Sequence, residues 1–307
     1  MKRVNPNEKY YSMINRRQFI KATSAGVALL GLTGNAFGET RKTPIPAPGV
    51  QLFTFFSVLD NDVEGTLKQV SAAGVRNIES AFSRKGDYYG MKAKDFGALL
   101  RSLDMQWQSH HAFGAPFKTT GNSNLPPIKN LKENLNEILD DAVSGGVKYL
   151  VAAHLPIGTG DEIKGSLDIL NASAAPCRKA GVQLVYHNEP ADFKNIEGIV
   201  PYEVFLTQTK SADLKFELDI AWAIKGGQDP QALIDRFPGR FPLWHVKDMT
   251  NEQVVVPVGE GILDYANLFS LAEKSGLKYY FVEHENPKDG FASLRTSIAS
   301  IQAIIKK

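Results

Sequence analysis

An α/β chain folded as a (β/α)8 TIM barrel is predicted by three observations. Short apolar runs alternate with helix-like stretches eight times over about 250 residues, the size and rhythm of that barrel. Glycine-bearing breaks (73–75, 145–147, 180–182, 275–277) stop a helical stretch just before an apolar run opens. Three runs between residues 216 and 283 end on a side chain able to bind a metal: Asp219, His245 and Glu283.

The strands expected in order are 49–56, 76–82, 106–113, 147–155, 182–189, 214–220, 241–247 and 278–285. Each is rich in aliphatic and aromatic residues without alternation, the pattern of parallel strands covered on both faces. Between them, Val63, Leu67 and Val70 fall on one helical face, Phe96, Leu99, Leu100 and Leu103 on another, and Leu131, Leu135, Ile138 and Leu139 on a third. Leu167 to Leu170, Leu233 with Ile234, Leu268 with Leu271, and the Leu294, Ile298, Ile301 series continue the rhythm. The stretch 195–212 is the weakest helix signal, with Pro201 inside it. A doubly wound open sheet is the alternative, but it needs fewer strands. No Gly-x-Gly-x-x-Gly or P-loop pattern follows any strand, so nucleotide binding has no support.

Composition narrows the classes. Hydrophobic residues at 43% are ordinary for a packed globular chain and argue against disorder. One cysteine, Cys177, excludes an internal disulfide or a cysteine metal cluster and reads as a buried thiol. The net charge of +2 is carried by the first 38 residues, where six Lys/Arg face one Glu; the remainder has 29 basic against 32 acidic side chains. A mildly acidic body does not suit a nucleic-acid partner.

Residues 1–38 read as an export signal. Arg16-Arg17-Gln-Phe19-Ile-Lys21 resembles a twin-arginine motif, followed by 17 uncharged residues and a small-x-small site at Ala36-Phe37-Gly38. That stretch is short for a membrane span, which needs about 20 apolar residues. Residues 39–48, with three prolines, read as a linker, and 49–307 as the barrel. A periplasmic or extracytoplasmic location, without stable membrane insertion of the mature chain, is expected.

All six histidines fall near the ends of expected strands: His110, His111, His154, His187, His245 and His284. Glu79, Glu189, Asp219, Asp248, Glu283 and Glu285 share that end. A mixed ring of imidazole and carboxylate is a divalent-metal environment. Counting from the start of each run places His187, Asp219, His245 and Glu283 at similar depth, and alternation turns Glu189 and Lys247 to the same side. Lys247 is placed to meet a substrate oxygen or phosphate, and Glu79 and Trp222 are the other substrate-binding candidates.

At Tyr-His-Asn-Glu (186–189), Glu-Leu-Asp-Ile-Ala-Trp-Ala (217–223), Gly-Arg-Phe-Pro-Leu-Trp-His-Val-Lys-Asp (239–248), Val-Gly-Glu-Gly-Ile-Leu-Asp-Tyr (258–265) and Phe-Val-Glu-His-Glu (281–285), the chain resembles the sugar phosphate isomerase/epimerase superfamily of xylose isomerase-like barrels. The resemblance implies one divalent ion (Mn, Co, Mg or Zn), held by residues of strands five to eight. Asp219, His245 and Glu283 are the ligands it carries over, with His187 or Glu189 from the fifth strand. It implies proton abstraction next to a carbonyl of a carbohydrate, with Glu189 or Glu283 as base and His111, His154 or Glu79 as acid. Isomerisation, epimerisation and elimination by a lyase or dehydratase share that chemistry. A phosphodiester endonuclease and a non-catalytic sugar-binding protein are the other readings.

Overall fold

The computed structural model describes residues 44–116 and 126–306. The expected signal 1–38 and residues 39–43 of the expected linker lie outside the described residues. From Gly49 the strands β1 (Gly49–Gln51), β2 (Asn77–Ser80), β3 (Gln106–Phe113), β4 (Tyr149–Ala153), β5 (Gln183–His187), β6 (Leu214–Asp219) and β7 (Leu243–Val246) pair in sequence, all parallel. A two-stranded antiparallel ribbon, β8 (Asp248–Met249) with β9 (Val255–Val256), follows β7. Then β10 (Tyr279–Val282) pairs with both β7 and β1 and closes an eight-stranded parallel barrel. This is the predicted (β/α)8 fold.

The helices are α1 (Val63–Ala72), α2 (Ala93–Ser102), α3 (Leu131–Gly145), α4 (Gly160–Lys179), α5 (Pro201–Gln208), α6 (Ile220–Lys225), α7 (Pro230–Arg236), α8 (Tyr265–Ser270), α9 (Ala272–Ser275) and α10 (Gly290–Ile305). Their starts are chemically marked. Asp62, Asn130, Thr159 and Asp289 each accept a hydrogen bond from a backbone N–H of the first turn. Gly146 (φ 89°) ends α3 in the left-handed conformation that a side chain disfavours. Pro201 is the first residue of α5, where its missing N–H costs nothing, so the proline that weakens the sequence signal starts the helix. The first strand is shorter than expected: after Gln51 the chain turns into a 3-10 helix, Leu52–Phe55, because the Gln51 side chain accepts from the Phe53 N–H.

Alternation along the strands stacks the barrel interior in layers. Val151, Val185, Leu243 and Phe281 form a small apolar cluster inside the barrel, separate from the large core between strands and helices. Two residues further along β5, β7 and β10 come His187, His245 and Glu283; two further again come Glu189, Lys247 and Glu285. An apolar floor therefore carries a polar layer, and that layer opens to the barrel mouth.

Candidate metal and active site

The polar layer begins with Glu79 of β2, which is fully buried. Gln51 donates to its Oε1 at 2.9 Å and Ser109 to its Oε2 at 2.5 Å. His111 Nε2 lies 3.1 Å and His245 Nε2 2.5 Å from Oε1. Glu217 faces the same imidazoles, 2.8 Å from His111, 3.2 Å from His245 Nε2 and 3.3 Å from His187 Nδ1. The sequence reading passed over Glu217, although it precedes Asp219 by two residues on β6 and so shares its inward face.

This layer holds its charges by mutual compensation. Burial works against the Glu79 carboxylate, but His111 and His245 outweigh it and hold the group well below its ordinary range. Burial, reinforced by Glu79, pushes Glu217 up to about 7. Burial also opposes a charge on His111, yet Glu79 and Glu217 lift that ring to about 9. His187 is kept well below its ordinary value by burial and by the positive His245 and His111 beside it.

One layer up, Asp219 and His245 are in register on β6 and β7. Phe281 is in register with His245, so Glu283 stands two residues further on. His187 is level with Glu217. The four residues expected at one depth thus climb a staircase, the consequence of strand tilt in a closed barrel. Asp219, His245 and Glu283 still converge: one ligand atom from each lies within 4.8 Å of the others. His245 Nδ1 is 2.8 Å from Glu283 Oε2 and 3.7 Å from Asp219 Oδ2. His111, His187, Glu217 and His245 form a second such group beneath.

Asp219 is held from both sides. Its N–H donates to Asn188 at 3.0 Å, its carbonyl accepts from Asn188 at 3.1 Å, and its Oδ1 caps α6 by accepting the Trp222 N–H at 2.8 Å. Lys247 is buried at the centre of the acids, with Nζ 2.7 Å from Asp219 Oδ2, 2.9 Å from Glu283 Oε2 and 2.7 Å from Glu285 Oε1. Burial raises the Glu283 carboxyl, but Lys247 and His245 override it and hold the group at about 2.

Other expected site residues are placed differently. Glu189 lies outside both donor groups, 3.8 Å from His187 Nε2 with 37% of its side chain exposed, and burial near other acids raises its carboxyl. Trp222 is 7% exposed and covers the Lys247 ammonium at 4.4 Å from its ring centre. His154 follows β4 with a left-handed backbone (φ 54°) and stacks on Phe113 at 5.3 Å. His110 and His284 point away from the barrel lumen. His110 bonds Ser80 at 2.8 Å against Trp107, and His284 bonds Ser293 of α10 at 2.8 Å. Six histidines near strand ends therefore become four around the lumen, since adjacent residues of a strand face opposite ways.

Above the layer opens a cavity of about 470 Å³ that includes Phe53, Phe82, Phe113, His111, His154, Glu189, Glu283 and Glu285 in its wall. The aromatic rings make a continuous wall, with Phe82 5.6 Å from Phe113 and 6.2 Å from Phe53. A polar floor and an aromatic wall suit a small hydroxylated ligand.

The profile of the xylose isomerase-like TIM barrel family matches residues 67–304. The chain belongs to the xylose isomerase-like TIM barrel family. Within this family's fold, two sugar phosphate isomerase/epimerases from Parabacteroides distasonis ATCC 8503 are similar to it. One is 26% identical with a TM-score of 0.69, over 86% of this chain and 96% of its own. The other is 25% identical with a TM-score of 0.71, over 85% and 99%. An IOLI protein solved with a bound zinc atom shares the fold at 16% identity and a TM-score of 0.64, over 85% of this chain and 98% of its own. No curated protein matches the sequence. Among the described residues, no helix is long and apolar enough to cross a membrane.

Proposed function

We propose that this family member is a divalent-metal-dependent sugar isomerase or epimerase that moves a proton next to a carbonyl. The observation that carries the reading is the convergence of Asp219, His245 and Glu283 within 4.8 Å. The donor chemistry fits such an ion: Asp219 Oδ2, His245 Nδ1 and Glu283 Oε2 make a buried carboxylate–imidazole–carboxylate set, with His245 Nδ1 2.8 Å from Glu283 Oε2 and 3.7 Å from Asp219 Oδ2. Asp219, His245 and Glu283 would hold it; of the two fifth-strand candidates we favour His187, which shares the neighbouring donor group with His245, whereas Glu189 belongs to neither group. A bound divalent ion supplies Lewis-acid polarisation of a substrate carbonyl.

The chain's own groups divide the proton work. Glu189 is the least committed carboxylate at the mouth, 37% exposed in the cavity wall and outside both donor groups, which places it to act as the general base. It takes the proton from the carbon beside the carbonyl onto a carboxylate oxygen. His111 carries a proton at neutral pH; Glu79 and Glu217 engage its Nε2, leaving Nδ1 to donate toward substrate oxygen. Returning the Glu189 proton to the neighbouring carbon, while the hydroxyl that becomes the new carbonyl gives its proton back to His111, isomerises the sugar. Return of a proton to the opposite face of the same carbon would epimerise it.

The acids at the mouth and the twin-arginine-like segment support an unphosphorylated, extracytoplasmic sugar as substrate. Incubation of the purified chain with Mn2+ and candidate keto-sugars in D2O tests the reaction. Deuterium is expected to enter the carbon next to the carbonyl. A substrate converted without solvent deuterium, or an unsaturated product, would replace this reading with direct transfer or with elimination. Replacing Arg16 and Arg17 by Lys tests the address, with accumulation inside the cytoplasm as the expected result.

A further inference from the structure

Lys247 stands where the proposed ion would be held. Alternation along the β7 run turns Leu243, His245 and Lys247 inward in succession, so the lysine enters the barrel directly above the histidine. Its ammonium meets three carboxylate oxygens, Asp219 Oδ2 at 2.7 Å, Glu283 Oε2 at 2.9 Å and Glu285 Oε1 at 2.7 Å, under the Trp222 ring at 4.4 Å. Three acids and an aromatic face make a built cation cage. Asp219 has only one oxygen to offer it, since Oδ1 is taken by the Trp222 N–H.

A divalent ion bonded at about 2.1 Å to Asp219 Oδ2 would lie within about 5 Å of the Lys247 ammonium. Both positive groups would then claim the same oxygen of Asp219 and the same oxygen of Glu283 in a buried setting, where like charges repel strongly. Glu285 offers the ammonium another berth: it is no member of the converging donor group, and 31% of its side chain is exposed toward the mouth.

We propose that Lys247 is the resident cation of the Asp219–Glu283 pair in the metal-free protein, and that a divalent ion enters by displacing its ammonium toward Glu285 and the mouth. The inference rests on the metal reading above and adds to it an internal competitor that sets the affinity. Metal binding and Lys247 exposure become one linked event.

Two measurements test it. Calorimetric titration with Mn2+ is expected to show at least tenfold tighter binding to Lys247→Met than to the natural chain. Acetylation of the natural chain, read by mass spectrometry, is expected to spare Lys247 without metal and to modify it at saturating Mn2+. This second arm needs no variant to fold. If Mn2+ binds both proteins equally, or leaves Lys247 equally protected, the displacement is refuted while the metal site stands. If neither protein binds Mn2+, the metal reading and the displacement fall together.

Discussion

His245 Nε2 lies 2.5 Å from Glu79 Oε1, across the barrel from β7 to β2. With that nitrogen committed, Nδ1 is the one turned to Asp219 and Glu283. A carboxylate behind a ligating histidine fixes the ring and raises its basicity. Glu79→Gln keeps the shape and removes the charge, so Mn2+ affinity is expected to fall about 10- to 100-fold. Titration calorimetry checks this; unchanged affinity would show that Glu79 has no part in orienting the histidine.

Glu189 and Glu283 are assigned separate tasks, and single amides should separate them. Glu189→Gln should lower turnover about 100-fold or more while Mn2+ binding persists, as loss of a general base does. Glu283→Gln should weaken the metal itself. Parallel measurements of kcat and bound metal decide it, and loss of metal in both variants would contradict the division.

Asp248 organises the loop after β7. Its two carboxylate oxygens accept backbone N–H groups of Met249, Gly259, Gly261 and Leu263 at 2.9 to 3.1 Å. Asp248→Ala strips four donors of their partner and is expected to cost at least about 2 kcal/mol. For a chain of this size that lowers the melting temperature by roughly 4–8 °C. A calorimetric scan that leaves the midpoint unmoved would refute the account.

Helices α2 and α3 touch through glycine backbone. A Cβ on Gly97 would sit 2.3 Å from the Gly145 carbonyl oxygen. Gly97→Ala is therefore expected to destabilise the fold by about 1–3 kcal/mol. Gly165 in α4 has nothing within 4 Å of its Cβ position, so Gly165→Ala should stabilise by about 0.5–1 kcal/mol. Urea denaturation of the two variants should give opposite signs.

Cys177 is fully buried in α4, and burial pushes its thiol up to about 12. Only the thiolate attacks disulfide reagents, and at pH 8 the folded chain holds almost none. A thiol reagent should label Cys177 only after denaturation. Rapid labelling of native protein would show that α4 opens far more readily than its packing implies.

The rhythm of apolar runs and glycine stops was enough to read the barrel, because parallel strands and their helices are specified by local chemistry that repeats. That Asp219, His245 and Glu283 meet at one end of the barrel was legible for the same reason: each follows its strand's apolar stretch at a countable distance. Counting could not supply the stagger between strands, which lifts Glu283 above His245 and leaves His187 level with Glu217. Nor could it separate His111, which faces the lumen, from His110, held outside by Ser80 and Trp107. The choice of Asp219 and Glu283 as partners for Lys247 depends on how three tilted strands are registered and on which way each long side chain turns. Those are properties of the closed sheet, and a linear pattern of residue types carries no record of them.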